Sequence, residues 1–467
     1  MKRKKLFKIS LKHFKIIHRK ATFGSIYGHC MKNRITVLLF FFSVALYLIV
    51  CSRASADVLT LPEGLKLVTE NNRLIKITAR EEAISKADTV IARSPLLPEI
   101  NASLSQTFQA YQPQAIFGPQ IVPVADKNFL SYNVSIQQLL YDFQGSASLY
   151  TASTLILETK KLDTQRIKNL VSLDFSLIYF DLLESEKMIL VAEKEVERLE
   201  SHLKDAQYLY EEGVITKNDL FQAEVRLSDA KQKFVAAKNA RAINASRLNN
   251  SLSRPLLTDL QVVDVSETRS DTLYTNLPDA WELAQSARPE IQIADTTLEA
   301  VDKEETAKRS EYFPRFFLKG SYDYMENPYY VHEENWSLIA GMSINIFSGQ
   351  STKAGIVKIQ QRKQKLLEQR KRLEDDIKLE VEKYYLDMLS SKEKIAVTSG
   401  AIDHAEENLR INKIRYEEGV GTATEVLDAV SLLTIAETNY YKSLYDFKRA
   451  EAGLMYATGE DLTGVYQ

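Results

Sequence analysis

Tyr210-Glu211-Glu212-Gly213-Val214 returns, letter for letter, as Tyr416-Glu417-Glu418-Gly419-Val420, 206 residues further along the chain. Each copy lies inside a long, proline-free, helix-patterned stretch, and each supplies a glycine where such a stretch must turn back on itself. The two copies therefore read as the tips of two related helical hairpins. Gly213 is followed by Val214, Ile215 and Thr216, and Gly419 by Val420, Gly421 and Thr422. The threonine is placed to cap the returning helix. Acids enter the first turns behind it, Asp219 in one copy and Glu425 with Asp428 in the other, where the helix dipole favours them.

Outward from the tips, none of the 11 prolines lies between Val124 and Arg254 or after Pro328. As helices, residues 146–212 and 350–418 would each reach about 100 Å at 1.5 Å per residue. That exceeds the diameter of a compact domain, so they project or assemble. On the returning arms Leu220, Ala223, Leu227, Ala230, Phe234 and Ala237 recur as Val426, Ala429, Leu433, Ala436, Tyr440 and Ser443. Large residues alternate with small ones, which lets helices approach closely. This periodicity fits a barrel of helices and an ordinary coiled-coil seam equally well.

The repetition extends upstream, because residues 277–310 align with 61–94 at an offset of 216, sharing Leu61/Leu277, Pro62/Pro278, Leu67/Leu283, Ile77/Ile293 and Ser94/Ser310. Each of these stretches is predicted helical. Each is followed by strand, loop and strand, with strands at about 99–111 and 129–143, then about 315–326 and 335–347. Ile100, Ala102, Leu104 and Phe108 alternate with Asn101, Ser103, Ser105 and Thr107, and the other strands follow suit. The first loop holds Pro113, Gly118, Pro119 and Pro123; the second, around Pro328, is shorter.

Runs of about ten residues suit a tilted outer-membrane strand, although a half-buried soluble sheet alternates in the same way. Four strands do not close a membrane barrel, for which eight is the minimum, so crossing a membrane requires several chains to share one. The chain thus divides into a first repeat, 57–254, a connecting segment, 255–276, and a second repeat, 277–467.

Residues 1–56 carry twelve Lys or Arg and no acid, leaving 48 basic against 62 acidic residues beyond them, net about −14. That is a poor match for a nucleic-acid binder. Ile35–Cys51 is uncharged, follows Lys32 and Arg34, and runs into Ala54-Ser55-Ala56, the layout of a signal peptide cleaved after Ala56. An uncleaved anchor is the alternative, and a start at Met31 would give a leader of more usual length. Cys51 follows Leu48-Ile49-Val50, a loose match to a lipidation signal. Both cysteines lie in this leader, so the mature chain would hold none.

Beyond the leader only His202, His332 and His404 remain, without zincin or di-iron spacing, a P-loop or a dinucleotide fingerprint. The histidines read as helix-surface or interface residues. No enzyme, cofactor or metal is expected.

Taken together, the doubled helix, strand-pair, helix plan, the two Tyr-Glu-Glu-Gly-Val tips with their threonines, and Glu425-Val426-Leu427-Asp428-Ala429 resemble the outer membrane efflux protein (TolC) family. The resemblance covers roughly residues 57–460. It implies a mainly α chain with a membrane β part. Three chains would form a 12-strand barrel continuous with a 12-helix periplasmic α-barrel.

The implied function is an exit channel for tripartite efflux or type I secretion in a Gram-negative outer membrane. Its partners would be a periplasmic adaptor and an inner-membrane pump of RND or ABC type. Carried over by position, Gly213, Val214, Thr216, Gly419, Val420 and Thr422 match adaptor-contact tips. Glu425 and Asp428 match the acidic, cation-selective entrance, and Tyr416 with Asp219 a pair closing it. An arginine of the family's entrance is replaced here by Gly421, and the second hairpin is expected to do most of the gating. A periplasmic coiled-coil protein without channel activity is the rival reading.

Overall fold

The computed structural model describes residues 57–265 and 276–466. The leader with its cleavage site, the alternative start at Met31 and the lipidation of Cys51 lie outside the described residues.

Each repeat begins with a helix pair where the sequence reads as one helix: α1 (Leu61–Asn71) with α2 (Arg73–Arg93), and α5 (Leu277–Ala287) with α6 (Pro289–Ser310). Arg288 is extended, at ψ 123, as a residue before proline must be. Asn72, at ψ 135, interrupts the first pair without any proline, because its side chain accepts from the backbone N–H of Leu74 at 2.8 Å.

Four strands make one antiparallel sheet. β1 (Asp57–Leu59) stands apart from it, while β2 (Glu99–Phe108), β5 (Asn128–Tyr141), β7 (Arg315–Met325) and β8 (Glu334–Ser343) lie in the order β2-β5-β7-β8. The register sorts the side chains. Ala102, Val134, Tyr322 and Trp336 fall in one row and Ile100, Ile136, Gly320 and Leu338 in another. Asn101, Ser135, Ser321 and Ser337 fall on the opposite face. The polar face bonds to itself, as where the Ser321 and Ser337 hydroxyls meet at 2.9 Å and Asn133 donates to Asp323. The apolar face does not find cover: Ile100, Leu104, Trp336 and Leu338 are all exposed.

Between β2 and β5 the sequence shows only a proline-rich loop. The structure has a further hairpin there, β3 (Gln114–Phe117) with β4 (Gln120–Pro123), turned by Gly118 at φ +59. The four-residue strands are too short for alternation to announce them.

The long helices α3 (Gly145–Glu211) and α7 (Ser351–Glu417) have 67 residues each, and their returns α4 (Lys217–Ser251) and α8 (Ala423–Ala457) have 35 each. Toward the sheet, α2 packs on α3, and α6 lies against both α3 and α7; toward the tips the lateral order is α4, α3, α8, α7. The main core lies where these two arrangements meet. Leu61, Leu65 and Val68 close on Phe175, Tyr179 and Leu182 of α3, Leu248 of α4, and Tyr445 and Met455 of α8.

The described part of the connecting segment, up to residue 265, is tied to that core. Its strand β6 (Leu260–Val262) pairs with β1, and the Tyr179 hydroxyl donates to the Val263 carbonyl at 2.6 Å. A short helix α9 (Leu462–Val465) closes the described chain.

Candidate functional site

The two tips are built alike. Gly213 and Gly419 both sit at φ +73 with open space around them, so within the chain it is the backbone conformation that calls for glycine. The turns close when Val214 N–H donates to the Leu209 carbonyl at 2.8 Å and Val420 N–H to that of Arg415 at 2.9 Å. Val214 and Val420 point outward, 56% and 70% exposed.

Thr216 and Thr422 then cap α4 and α8 in reciprocal boxes. Asp219 accepts from Thr216 N–H at 3.0 Å, and Glu425 from Thr422 N–H at 2.9 Å. One difference is local. Gly421 N–H adds a second bond to the Arg415 carbonyl at 2.8 Å, and a Cβ there would stand 3.0 Å from Tyr416 N. Ile215 holds the same place in the first tip.

Glu425 and Asp428 lie in the first two turns of α8, Glu425 half-buried and Asp428 exposed. The Thr422 backbone N–H, and after it the Arg415 guanidinium, hold the Glu425 carboxyl below its ordinary range. Arg415 Nη1 approaches Glu425 Oε1 to 3.6 Å. An arginine thus reaches Glu425 from the end of α7, although position 421 lacks one.

Tyr416 is almost wholly buried, and its hydroxyl has no hydrogen-bond partner within the chain. Burial first, then the facing carboxylates of Asp219 and Asp205, push its phenol up to about 12. The Asp219 carboxylate is meanwhile taken by Thr216. Tyr416 and Asp219 are within electrostatic reach of each other, and their hydrogen-bonding groups do not meet within the chain.

Sequence reasoning missed the seam that joins the hairpins above the tips. Arg198 of α3 grips Glu437 of α8 through two bonds of 2.9 and 2.8 Å, with Lys194 at 3.7 Å. Lys413 of α7 stands 3.7 Å from Asp205 and 3.1 Å from the Ser201 hydroxyl. The His202 ring lies 5.1 Å from that of Tyr416. A cavity of about 240 Å³, lined among others by His202, Asp205, Lys413 and Val426, sits in this seam. The i, i+4, i+7 spacing of Arg198, His202 and Asp205 was the available signal, and a solvated helix face carries the same spacing.

Among the described residues no cluster of His, Cys, Asp and Glu could hold a metal ion, and no helix is long and apolar enough to cross a membrane. The latter says nothing of the sheet.

Three comparisons bear on what this architecture is. The alkaline protease secretion protein AprF of Pseudomonas aeruginosa is 23% identical over 422 residues, covering 87% of this chain and 86% of the relative. A membrane protein from Pseudomonas aeruginosa superposes with a TM-score of 0.77 at 17% identity, over 86% of this chain and 91% of that one. The CmeC outer membrane channel of Campylobacter jejuni superposes at 0.75 and 14% identity, over 85% of each. At such identities the structural likeness speaks for the fold. The family itself is shown by the model of the outer membrane efflux protein, which matches residues 64–254 and 280–460. The chain belongs to the outer membrane efflux protein family, and its place is the outer membrane of a Gram-negative bacterium.

Proposed function

We propose that three copies of this chain assemble into an exit channel for a tripartite efflux pump or type I secretion system. The observation that carries this reading is the four-stranded sheet. Its register gathers the apolar side chains on one exposed face, and β2 and β8 stand at its two edges. Closing those edges against further copies would satisfy the backbone, and lipid would cover the apolar face. Three sheets of four strands make a 12-strand barrel, and three helical layers continue it as the 12-helix tunnel.

Within that assembly the tips Gly213–Thr216 and Gly419–Thr422 dock a periplasmic adaptor, which couples the channel to an inner-membrane pump. The exposed Val214 and Val420 supply the contact. Glu425 and Asp428, repeated three times, form the cation-attracting entrance, and Tyr416 with Asp219 belongs to its closed state.

The purified chain in detergent should run as heat-resistant trimers and conduct ions in planar bilayers. A monomer or dimer soluble without detergent would sink the proposal in favour of a periplasmic coiled-coil protein. The Glu425→Ala, Asp428→Ala double variant should lower cation selectivity in single-channel recordings. Val214→Asp with Val420→Asp should abolish export while trimers persist.

A further inference from the structure

We propose that His202 makes the seam between the two hairpins proton-responsive: protonating it loosens the contact of α3 with the Tyr416 end of α7, so the entrance opens more readily in acid. The consequence at the entrance rests on the channel reading above; the response of the seam does not.

His202 is 3% exposed, and its Nε2 has no hydrogen-bond partner. The Tyr416 hydroxyl is equally buried and equally unpartnered, so at this point of the seam α3 and α7 meet through two rings that leave polar atoms unpaired. Such atoms are tolerated while neutral, but a buried charge without a partner is far more costly.

The surroundings offer a protonated imidazole little compensation. On its own helix stand Asp205, already paired to Lys413, Arg198, already paired to Glu437, and Glu197, an exposed carboxylate that lines the same cavity. From α7 come Lys413, a like charge, and Tyr416. From α8 come the apolar Val426 and Val430, while Glu437 is held by Arg198 and Lys194. From α4 the Asp219 carboxylate acts on Tyr416 and is itself bound to Thr216.

Burial lowers the proton affinity of His202 below its ordinary value of 6.5; Asp205 opposes the shift and Lys413 adds to it. The sign follows. Above pH 6.5 the packed seam keeps its full stability. As pH falls below 6.5, the loosened state takes up a proton that the packed seam refuses. The packed state then loses ground by up to about tenfold per pH unit and chain, until its own lower value is reached.

The test is hydrogen–deuterium exchange of the full chain in detergent at pH 7.5 and 5.5, corrected for intrinsic exchange. Segments 198–209 and 409–420 should exchange several-fold faster at the lower pH while the four strands do not change. His202→Gln should remove that difference. A wild type without the difference, or a His202→Gln chain that keeps it, would overturn the proposal. Should His202→Gln not assemble, His202→Phe preserves the ring contact and decides the same question.

Conductance at the two pH values separates the readings. Loss of all conductance counts against the channel, while the exchange result still decides the seam. Conducting trimers whose opening ignores pH in the wild type overturn the link between them.

Discussion

Helices α4 and α8 share their length and their alternation of large with small residues, yet their surroundings differ. Helix α8 lies between α7 and α3 and buries Val426, Ala429, Leu433, Ala436 and, beyond them, Phe447, Ala450 and Leu454. Helix α4 packs mainly on α3 and, in its tip-proximal part, buries only Ala223, Leu227 and Ala230. Residues at the same place in the two repeats part company accordingly. Leu427 is buried and Phe221 is 50% exposed; Tyr416 is buried and Tyr210 faces outward. Glu437 is locked to Arg198, whereas Lys231 pairs with Glu200 in solvent. The repeat decides which residues form helix and turn. A helix's place in the layer decides which of its residues are core.

The sharpest way to break this comparison is to place one charge at equivalent positions. Leu427→Asp should cost about 3–5 kcal/mol, since it deletes a buried side chain and buries a carboxylate. Phe221→Asp should stay within about 0.5 kcal/mol for the protomer, measured as unfolding midpoints in detergent. If α4 meets a neighbouring copy in the proposed trimer, Phe221→Asp should instead deplete that trimer; an undisturbed trimer would remove α4 from that contact.

Next in size, Glu437→Gln should cost about 3 kcal/mol by stranding Arg198 in the seam. Lys231→Gln at the matching position should cost less than about 1 kcal/mol, because that ion pair is exposed. Equal losses from the two would refute the asymmetry.

The tips sharpen the contrast at a smaller scale. Gly421→Ile should cost about 1–3 kcal/mol by crowding the Arg415–Tyr416 backbone, although isoleucine is the native residue at 215. Smallest, and alike in both halves, Thr216→Ala and Thr422→Ala should each cost about 1 kcal/mol through loss of the cap. Markedly unequal values would show that the two turns differ beyond position 421.

Much of this was legible because it depends on neighbours in sequence. The positive φ at Gly213 and Gly419 and the caps at Thr216 and Thr422 are local chemistry. So is the alternation that separates Ile100 from Asn101. The break at Asn72 and the hairpin at Gln114–Pro123 were not legible, since a single capping asparagine and four-residue strands leave no periodic signal. The seam was hidden for another reason: His202, Arg198 and Lys413 look like the solvated residues of any long helix.

The sequence by itself determined a doubled chain with two glycine-turned hairpins and two strand pairs, one face of each apolar, because helix, turn and pleat follow from residues a few places apart. Only the tertiary structure decided that β5 pairs with β7 to join the two repeats in one sheet, that α8 rather than α4 becomes core, and that His202 meets Tyr416 between the hairpins. Those contacts join residues about 200 positions apart, and which helix lies beside which is set by how the layers pack.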